Sequence, residues 1–179
     1  MGLFTEYDLI QAISGTDEFG HSKCSISINL ERQDADGNLK KIDDEFVSEK
    51  PVVQVFKQAG GFVLVDFIFD DINDMDLHII YSYLKKFFDS TQSVSDDDLD
   101  FPVLSVAIVP NDLQGEYWVL GNNPIFYALT PDDEKGEPRI IRMAFIQQED
   151  KDVLPNFLFL TSLEEELEKI GDEEDVDLY

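Results

Sequence analysis

The sequence predicts an α+β protein in which an antiparallel or mixed β-sheet of about seven to nine strands, arranged in hairpins, packs with about three α-helices. Two observations support this fold class. Segments in which apolar and polar residues alternate come in pairs, separated by short turns rich in Asp, Gly and Asn. Segments with apolar residues at helical spacing lie before, between and after these runs of strands, an order typical of helices packed on a sheet.

The first elements are a short helix and a β-hairpin. Thr5 caps a helix over 5–13, whose apolar residues fall on one side. The hairpin follows, with strands at about 24–32 and 38–47 in which apolar residues alternate with polar ones. Its turn, 34–38, carries Asp and Gly residues, which readily adopt the backbone angles that a tight turn needs.

A second hairpin joins strands at 52–56 and 62–69 through the Gly-containing turn 59–61. The apolar run at the start of the strand 62–69 predicts a central strand that is covered on both faces. Asp66 interrupts this run, so we expect one side of the sheet to become exposed to solvent at that point.

Residues 74–89 form the clearest predicted helix, because their apolar residues lie along one stripe. Asn73 or Asp74 caps the first turn, where acidic residues interact favourably with the positive end of the helix dipole. The segment 90–100 that follows is rich in polar and acidic residues and predicts an acidic loop.

The second half of the chain is predicted to consist of strands followed by one helix. These strands span 103–109, 116–120, 125–129, 139–146 and 157–160. The helix, over 162–170, begins with a capping box and ends before Gly171. We therefore expect a single acidic domain over 1–171 and a flexible acidic tail over 172–179.

Composition places the chain among cytoplasmic proteins. It has 179 residues, of which 43% are apolar, enough for a hydrophobic core in one domain. The only cysteine, Cys24, excludes an intrachain disulfide, and a reducing compartment fits this best. No stretch has the roughly 18 consecutive apolar residues of a membrane helix, and the N-terminus lacks the pattern of a signal peptide. We therefore expect a cytoplasmic protein with no membrane partner.

The net charge is the most unusual property of the sequence. Asp and Glu number 39 against 13 Lys and Arg, which gives a formal charge of −26 that is spread over the whole chain. Solubility needs a charge of only about −8 in a small domain, so a basic partner is a better explanation. A compact chain of 179 residues has a diameter of roughly 40 Å, and a segment of duplex DNA about 40 Å long carries roughly 24 negative charges. The chain therefore matches a DNA segment of its own size in total charge.

One segment has oxygen-bearing residues at the spacing of an EF-hand calcium loop. They are Asp34, Asp36, Asn38 and Glu45. The position that needs glycine is Leu39, however, and the flanking segments predict strands where an EF-hand has helices. A hairpin turn explains all of these residues, so no metal site is predicted.

No residue pattern identifies a catalytic or cofactor site. His21 and Cys24 are too few for a zinc site, and Cys24 alternates with apolar residues, which predicts a thiol in the core. His78 falls on the polar side of the helix 74–89, so we expect it to be exposed. The turn 59–61 lacks the Lys and the Ser or Thr of a phosphate-binding loop. We therefore predict that the chain is not an enzyme and binds no cofactor.

The charge also disfavours direct binding of nucleic acid, because the phosphates would be repelled. In charge and size the whole chain is similar to the class of DNA-mimic antirestriction and anti-CRISPR proteins, with which it shares no motif. This resemblance implies an inhibitor, monomeric or dimeric, that blocks a basic protein such as a nucleic-acid-binding enzyme. The predicted contacts flank the helix 74–89 at both ends and are Asp70, Asp71, Asp74, Asp76, Asp96, Asp97, Asp98 and Asp100. The competing interpretation is that these are capping and loop residues on a solvated surface.

Two other functions remain open. An immunity protein or chaperone for a basic toxin or effector would use the same electrostatics with a different partner. A structural or assembly protein of a virus or mobile element would instead associate through exposed apolar and aromatic residues. The aromatic residues considered for such a surface are Tyr117, Trp118, Phe126 and Tyr127.

Overall fold

The structure, a computed structural model, describes residues 6–58, 60–93, 101–111, 118–131, 138–147 and 157–160. These residues contain two helices, α1 (Glu6–Ile13) and α2 (Met75–Ser93). Their nine strands are β1 (Cys24–Gln33), β2 (Leu39–Ser48), β3 (Val52–Gln58), β4 (Phe62–Ile68), β5 (Phe101–Pro110), β6 (Trp118–Asn122), β7 (Phe126–Pro131), β8 (Pro138–Ile146) and β9 (Phe157–Leu160). The α+β class predicted from the sequence is confirmed.

The strands form two sheets, where the sequence led us to expect one. The five-stranded sheet has the order β2-β1-β5-β6-β9, and the four-stranded sheet has the order β3-β4-β8-β7. All pairings between these strands are antiparallel, so the mixed alternative is wrong. The hairpins β1–β2 and β3–β4 form as predicted, but each sheet is completed by a pairing between distant strands, β1 with β5 and β4 with β8.

The two halves of the described chain follow the same plan, a helix followed by four strands. Strands β1, β2, β3 and β4 correspond to β5, β6, β7 and β8, respectively. When each strand is exchanged for its counterpart, the orders β2-β1-β5-β6 and β3-β4-β8-β7 are simply reversed. The connectivity is therefore two-fold symmetric, with β1 and β5 equivalent in one sheet and β4 and β8 equivalent in the other. Strand β9 lies beside β6 and has no counterpart beside β2 among the described residues.

The inner faces of both sheets contribute to one hydrophobic core. Ile28 and Val106 pair across β1 and β5, Val65 and Met143 pair across β4 and β8, and all four are buried. Helix α2 contacts strands of both sheets and adds the apolar stripe predicted from the sequence, in which Leu84 is fully buried. Because α2 packs on strands of both sheets, its first turn and the loop that precedes it are fixed relative to the core.

Asp66 is buried and paired, contrary to the solvated position expected from the sequence. It points to the outer side of the four-stranded sheet and is only 4% exposed. The Arg142 guanidinium donates two hydrogen bonds to its carboxylate, from Nε at 2.7 Å and from Nη2 at 2.8 Å. Strand β4 is central, as predicted, but the expected cover on both faces is only partial, because Phe62 on the outer side is 40% exposed.

Helix α2 continues to Ser93, beyond its predicted end at residue 89. No Pro or Gly interrupts this polar extension, and the Thr91 hydroxyl donates a hydrogen bond of 2.7 Å to the carbonyl oxygen of Phe88. The rest of the predicted acidic loop (94–100), the predicted helix 162–170 and the predicted tail 172–179 lie outside the described residues. Neither described helix combines the length and the apolar character needed to cross a bilayer.

Candidate functional site

An open groove at one end of the fold brings acidic residues from separate parts of the chain together. Its volume is about 510 Å³, and it is formed mainly by the turn 16–22, the connection between β2 and β3, and the segment between β4 and α2. Its acidic and basic lining residues are His21, Glu49, Lys50, Asp70 and Asp74. We call this feature the acidic groove.

The segment before α2 is held in place by hydrogen bonds to its own carboxylates. Asp74 is the N-cap of α2, since its Oδ1 accepts a hydrogen bond of 2.9 Å from the backbone N–H of Asp76. Oδ1 of Asp71 accepts a bond of the same length from the backbone N–H of Asn73. The Asp76 carboxylate is turned toward β2, where it accepts a hydrogen bond of 2.7 Å from the Ser48 hydroxyl. These contacts are those of helix-capping and loop residues, which is the role that the competing interpretation of the sequence gives to Asp71, Asp74 and Asp76.

Glu49 and Asp70 are the exposed carboxylates of the groove. Within the described residues, neither carboxylate accepts a hydrogen bond or forms an ion pair, whereas the Asp70 carbonyl oxygen accepts a hydrogen bond of 3.1 Å from Nη1 of Arg139. Nζ of Lys50 lies 3.5 Å from Oδ1 of Asp74. Because the Lys50 side chain is 59% exposed, this ion pair contributes little to stability. The groove therefore carries an excess of negative charge on a fixed backbone.

The turn 16–22 adds a further carboxylate beside the groove. Oδ1 of Asp17 accepts hydrogen bonds of 2.9 Å from the backbone N–H groups of Phe19 and His21. The bond from His21 is the main reason that the pKa of the Asp17 carboxyl is lowered from its ordinary value. Asp17 therefore keeps its negative charge to a lower pH than an ordinary Asp does.

The structure brings together part of the set of partner-binding residues that the sequence predicted. Asp70 and Asp74 line the acidic groove, and Asp71 follows Asp70 on the exposed surface. Asp76 is engaged by β2 and does not line the groove. Glu49 lines the groove but was not predicted, because it is far from α2 in sequence. The remaining predicted contacts lie outside the described residues and are Asp96, Asp97, Asp98 and Asp100.

The EF-hand-like segment is a hairpin turn, in agreement with the interpretation from the sequence. Oδ1 of Asp34 accepts hydrogen bonds of 2.9 Å from the backbone N–H groups of Asp36 and Asn38. The bond from Asn38 is the main reason that the pKa of Asp34 is lowered. Gly37 closes the turn with a φ of 85°, which glycine adopts without strain. Among the residues that the structure describes, no group of three or more His, Cys, Asp or Glu could hold a metal ion.

Cys24 is a thiol of the core, as its alternation with apolar residues predicted. It is fully buried, and this burial raises the pKa of the thiol to about 12. His78 is exposed, again as predicted, and its Nε2 lies 2.9 Å from the carbonyl oxygen of Ile72. The Cys24 thiol is thus not available as a nucleophile at neutral pH.

Burial of Cys24 leads to a test by thiol chemistry. We expect the folded protein to react with a disulfide reagent such as DTNB at pH 8 about a thousandfold more slowly than the urea-unfolded chain. The reason is that raising the pKa of the thiol from 9.0 to about 12 lowers the thiolate fraction by about that factor. The absorbance of the released thiolate measures both rates, and equal rates would contradict the buried position of Cys24.

The aromatic residues considered for an assembly surface point in different directions. Tyr127 faces α2, where its ring centroid lies 5.8 Å from that of Tyr81 and 4.8 Å from that of Phe88. Phe126, the preceding residue of β7, is 52% exposed on the outer side of the four-stranded sheet. Trp118 begins β6, and Tyr117 lies outside the described residues. Of the two side chains of this set that the structure describes, Phe126 is the one exposed to a partner.

No known protein family, curated protein or solved structure matches this chain. Its function must therefore be inferred from its own charge and geometry. Two described surfaces stand out in charge or in apolar exposure, the acidic groove and the outer side of the four-stranded sheet.

Proposed function

We propose that this chain is a non-enzymatic acidic binding protein, which inhibits a basic nucleic-acid-binding protein by presenting carboxylates where that partner holds phosphates. The observation that carries the proposal is the acidic groove, on which the exposed carboxylates of Glu49 and Asp70 converge from separate parts of the chain. A Lys or Arg side chain of a partner fits the charge of this groove and is small enough to enter it.

The charge of the whole chain and the charge of the groove act over different distances. The net charge of −26 attracts a basic partner before contact, over a range of about 10 Å at 0.1 M salt. Within contact distance, specificity depends on carboxylates that are fixed in position. Arg139 anchors the backbone of Asp70, and the N-cap hydrogen bond anchors Asp74. The proposed binding is therefore fast to form, sensitive to salt and specific in geometry.

The chemistry of the described side chains favours binding over catalysis. The single thiol of the chain, Cys24, is buried with a raised pKa. His78 is exposed next to a backbone carbonyl and does not line the acidic groove. His21 does line it, but the Ser22 hydroxyl beside it donates its hydrogen bond to the Cys24 carbonyl oxygen, at 3.2 Å. A carboxylate-lined groove with no activated nucleophile suits the recognition of a cationic side chain better than a covalent reaction.

A tagged pull-down from nuclease-treated bacterial lysate tests this proposal. The column is washed with rising salt, and the retained proteins are identified by mass spectrometry. We expect a basic nucleic-acid-binding protein that is released as NaCl rises through a few tenths molar. A retained basic toxin without a nucleic-acid site would favour the immunity-protein alternative, and retention of no basic protein would contradict both.

Neutralising the groove should weaken the complex with the recovered partner. We expect the double variant Glu49→Gln and Asp70→Asn to raise the dissociation constant roughly tenfold or more at about 0.1 M NaCl, because charge-assisted hydrogen bonds are lost. Isothermal titration calorimetry with the purified partner measures this change.

The matched control removes the same number of charges elsewhere. Asp36 and Glu45 are exposed on the β1–β2 hairpin and do not line the groove. We expect the double variant Asp36→Asn and Glu45→Gln to retain an affinity within a few-fold of the wild type, since it alters only the long-range field. Equal losses in both double variants would remove the groove from the binding site.

A second candidate function, that of an assembly protein, is favoured by one observation. Exposed apolar residues, including Phe126, lie on the outer side of the four-stranded sheet. Assembly into large oligomers would require a further surface of this kind, whereas one such surface pairs two copies only. Light scattering of the purified chain separates the two functions, because an assembly protein would form particles much larger than a dimer.

A further inference from the structure

The outer side of the four-stranded sheet carries almost no charge, although the net charge of the chain is −26. We define the outer sheet face as the outward-pointing residues of β3, β4, β8 and β7. Its apolar residues include Phe56, Phe62, Leu64, Phe126, Ala144 and Ile146, of which Ala144 is buried. The charged residues among its described positions are Asp66 and Arg142, which form an ion pair with each other. The described positions of the face therefore carry no net charge.

The apolar residues of the outer sheet face are contiguous. Phe56, Leu64, Ala144 and Phe126 lie side by side in one row that crosses all four strands. The two phenylalanines at the ends of this row are 41% and 52% exposed. Exposed apolar residues that occur singly are common on protein surfaces, but a contiguous set with aromatic residues marks an interaction surface.

The size of the face limits what can bind to it. Four strands about 4.8 Å apart, each with about seven residues at about 3.4 Å, cover roughly 450 Å². The apolar part of this area is smaller, because Asp66 and Arg142 lie within it, and has the size of the largest apolar patch on a typical monomer, which is often functional. Two such faces bury at most roughly 900 Å² together, less than a standard stable interface, which fits a reversible dimer.

We infer that the outer sheet face binds a second copy of this chain and forms a two-fold symmetric dimer. Charge selects the surface at which two copies can meet: contacts between other acidic surfaces would place like charges together, whereas two faces without net charge meet without that penalty. The sheets would pack face to face at about 10 Å, as in β-sandwiches. The inference is independent of the proposed function, because none of the groove carboxylates lies on this face.

The dependence on salt distinguishes this dimer from binding through the acidic groove. The two chains, each with a charge of −26, repel each other at long range, and salt screens this repulsion. Apolar contact is not weakened by NaCl. Self-association should therefore strengthen as salt rises, whereas binding of a basic partner should weaken.

Sedimentation equilibrium of the purified chain, without any partner, tests the inference. We expect a monomer–dimer equilibrium whose dissociation constant falls several-fold between about 0.05 M and about 0.5 M NaCl. A monomer at all concentrations and salts would overturn the inference, as would self-association that weakens with salt.

Two variants at opposite edges of the face complete the experiment. Phe126 lies on β7 and Phe56 on β3, so Phe126→Asp and Phe56→Asp each place a charge in the interface. We expect either change to raise the dimer dissociation constant roughly tenfold or more. The control is Phe19→Asp, since Phe19 is 74% exposed in the turn 16–22, away from the face. If both face variants dimerise like the control while circular dichroism shows that they are folded, the inference is wrong.

Discussion

Replacing Arg142 with Met is expected to lower the free energy of unfolding by about 3–5 kcal/mol, which is a large part of the total stability of a typical domain. The Asp66 side chain is only 5% exposed, so the substitution leaves a buried carboxylate without its cation. The opposite change should be milder, because the Arg142 side chain is 39% exposed and can turn toward water. We expect Asp66→Leu to lower the free energy of unfolding by about 1–2 kcal/mol.

Urea unfolding followed by circular dichroism at low protein concentration measures both changes. The double variant, Asp66→Leu with Arg142→Met, serves as the control, because it removes both charges and is expected to be close to the wild type in stability. Equal losses in the two single variants would contradict the claim that the buried carboxylate costs more to leave unpaired than the exposed guanidinium.

Replacing Phe69 with Ala is expected to lower the free energy of unfolding by about 3–5 kcal/mol, since the ring is 1% exposed and its loss leaves a cavity. Phe69 also directly follows the last residue of β4 and precedes Asp70 of the groove, and its backbone N–H donates a hydrogen bond of 3.0 Å to the Arg139 carbonyl oxygen. Thermal unfolding should therefore begin roughly 10 °C lower than in the wild type.

Phe19→Ala is the matched control for this substitution, since it removes the same ring from a position that is 74% exposed. We expect this change to alter the free energy of unfolding by no more than about 0.5 kcal/mol. If Phe69→Ala were equally harmless, the segment that carries Asp70 and Asp74 would not be anchored in the core as the structure indicates.

The local strand signals in the sequence predicted the hairpins well, because both strands of a hairpin and their turn lie within one short segment. The alternation in 24–32 and in 38–47, with Gly37 in the turn, corresponds closely to β1 and β2. The association of hairpins into two sheets was not predictable in this way. The pairing of β1 with β5 joins two alternating apolar strands, and many other strands of the chain have the same pattern.

Asp66 shows the same limit at the level of one residue. A single acidic residue within an apolar run predicts a solvent-exposed position unless its partner is known. The partner of Asp66 is Arg142, which is 76 residues away in the sequence. The two-fold plan was also hidden, because the corresponding strands share apolar character and not sequence identity. Val63, Val65 and Phe67 of β4 correspond to Ile141, Met143 and Phe145 of β8 as buried inward-facing residues.

The candidate site was predictable only where it adjoins α2. Asp70, Asp71 and Asp74 precede a strong helix signal, so their clustering follows from the capping of that helix. Glu49 joins them because the chain passes from one sheet to the other between β2 and β3, beside the start of α2. This proximity depends on the arrangement of the two sheets, which the local sequence pattern does not encode.

The central claim is that this acidic chain occupies the nucleic-acid site of a basic partner. The most direct measurement is a competition experiment, in which the complex with the recovered partner is titrated with duplex DNA and the released chain is followed by fluorescence anisotropy. We predict complete, mutually exclusive displacement, with an apparent affinity for DNA that falls as the concentration of the acidic chain rises. A ternary complex, in which DNA binds while the acidic chain stays bound, would contradict the account.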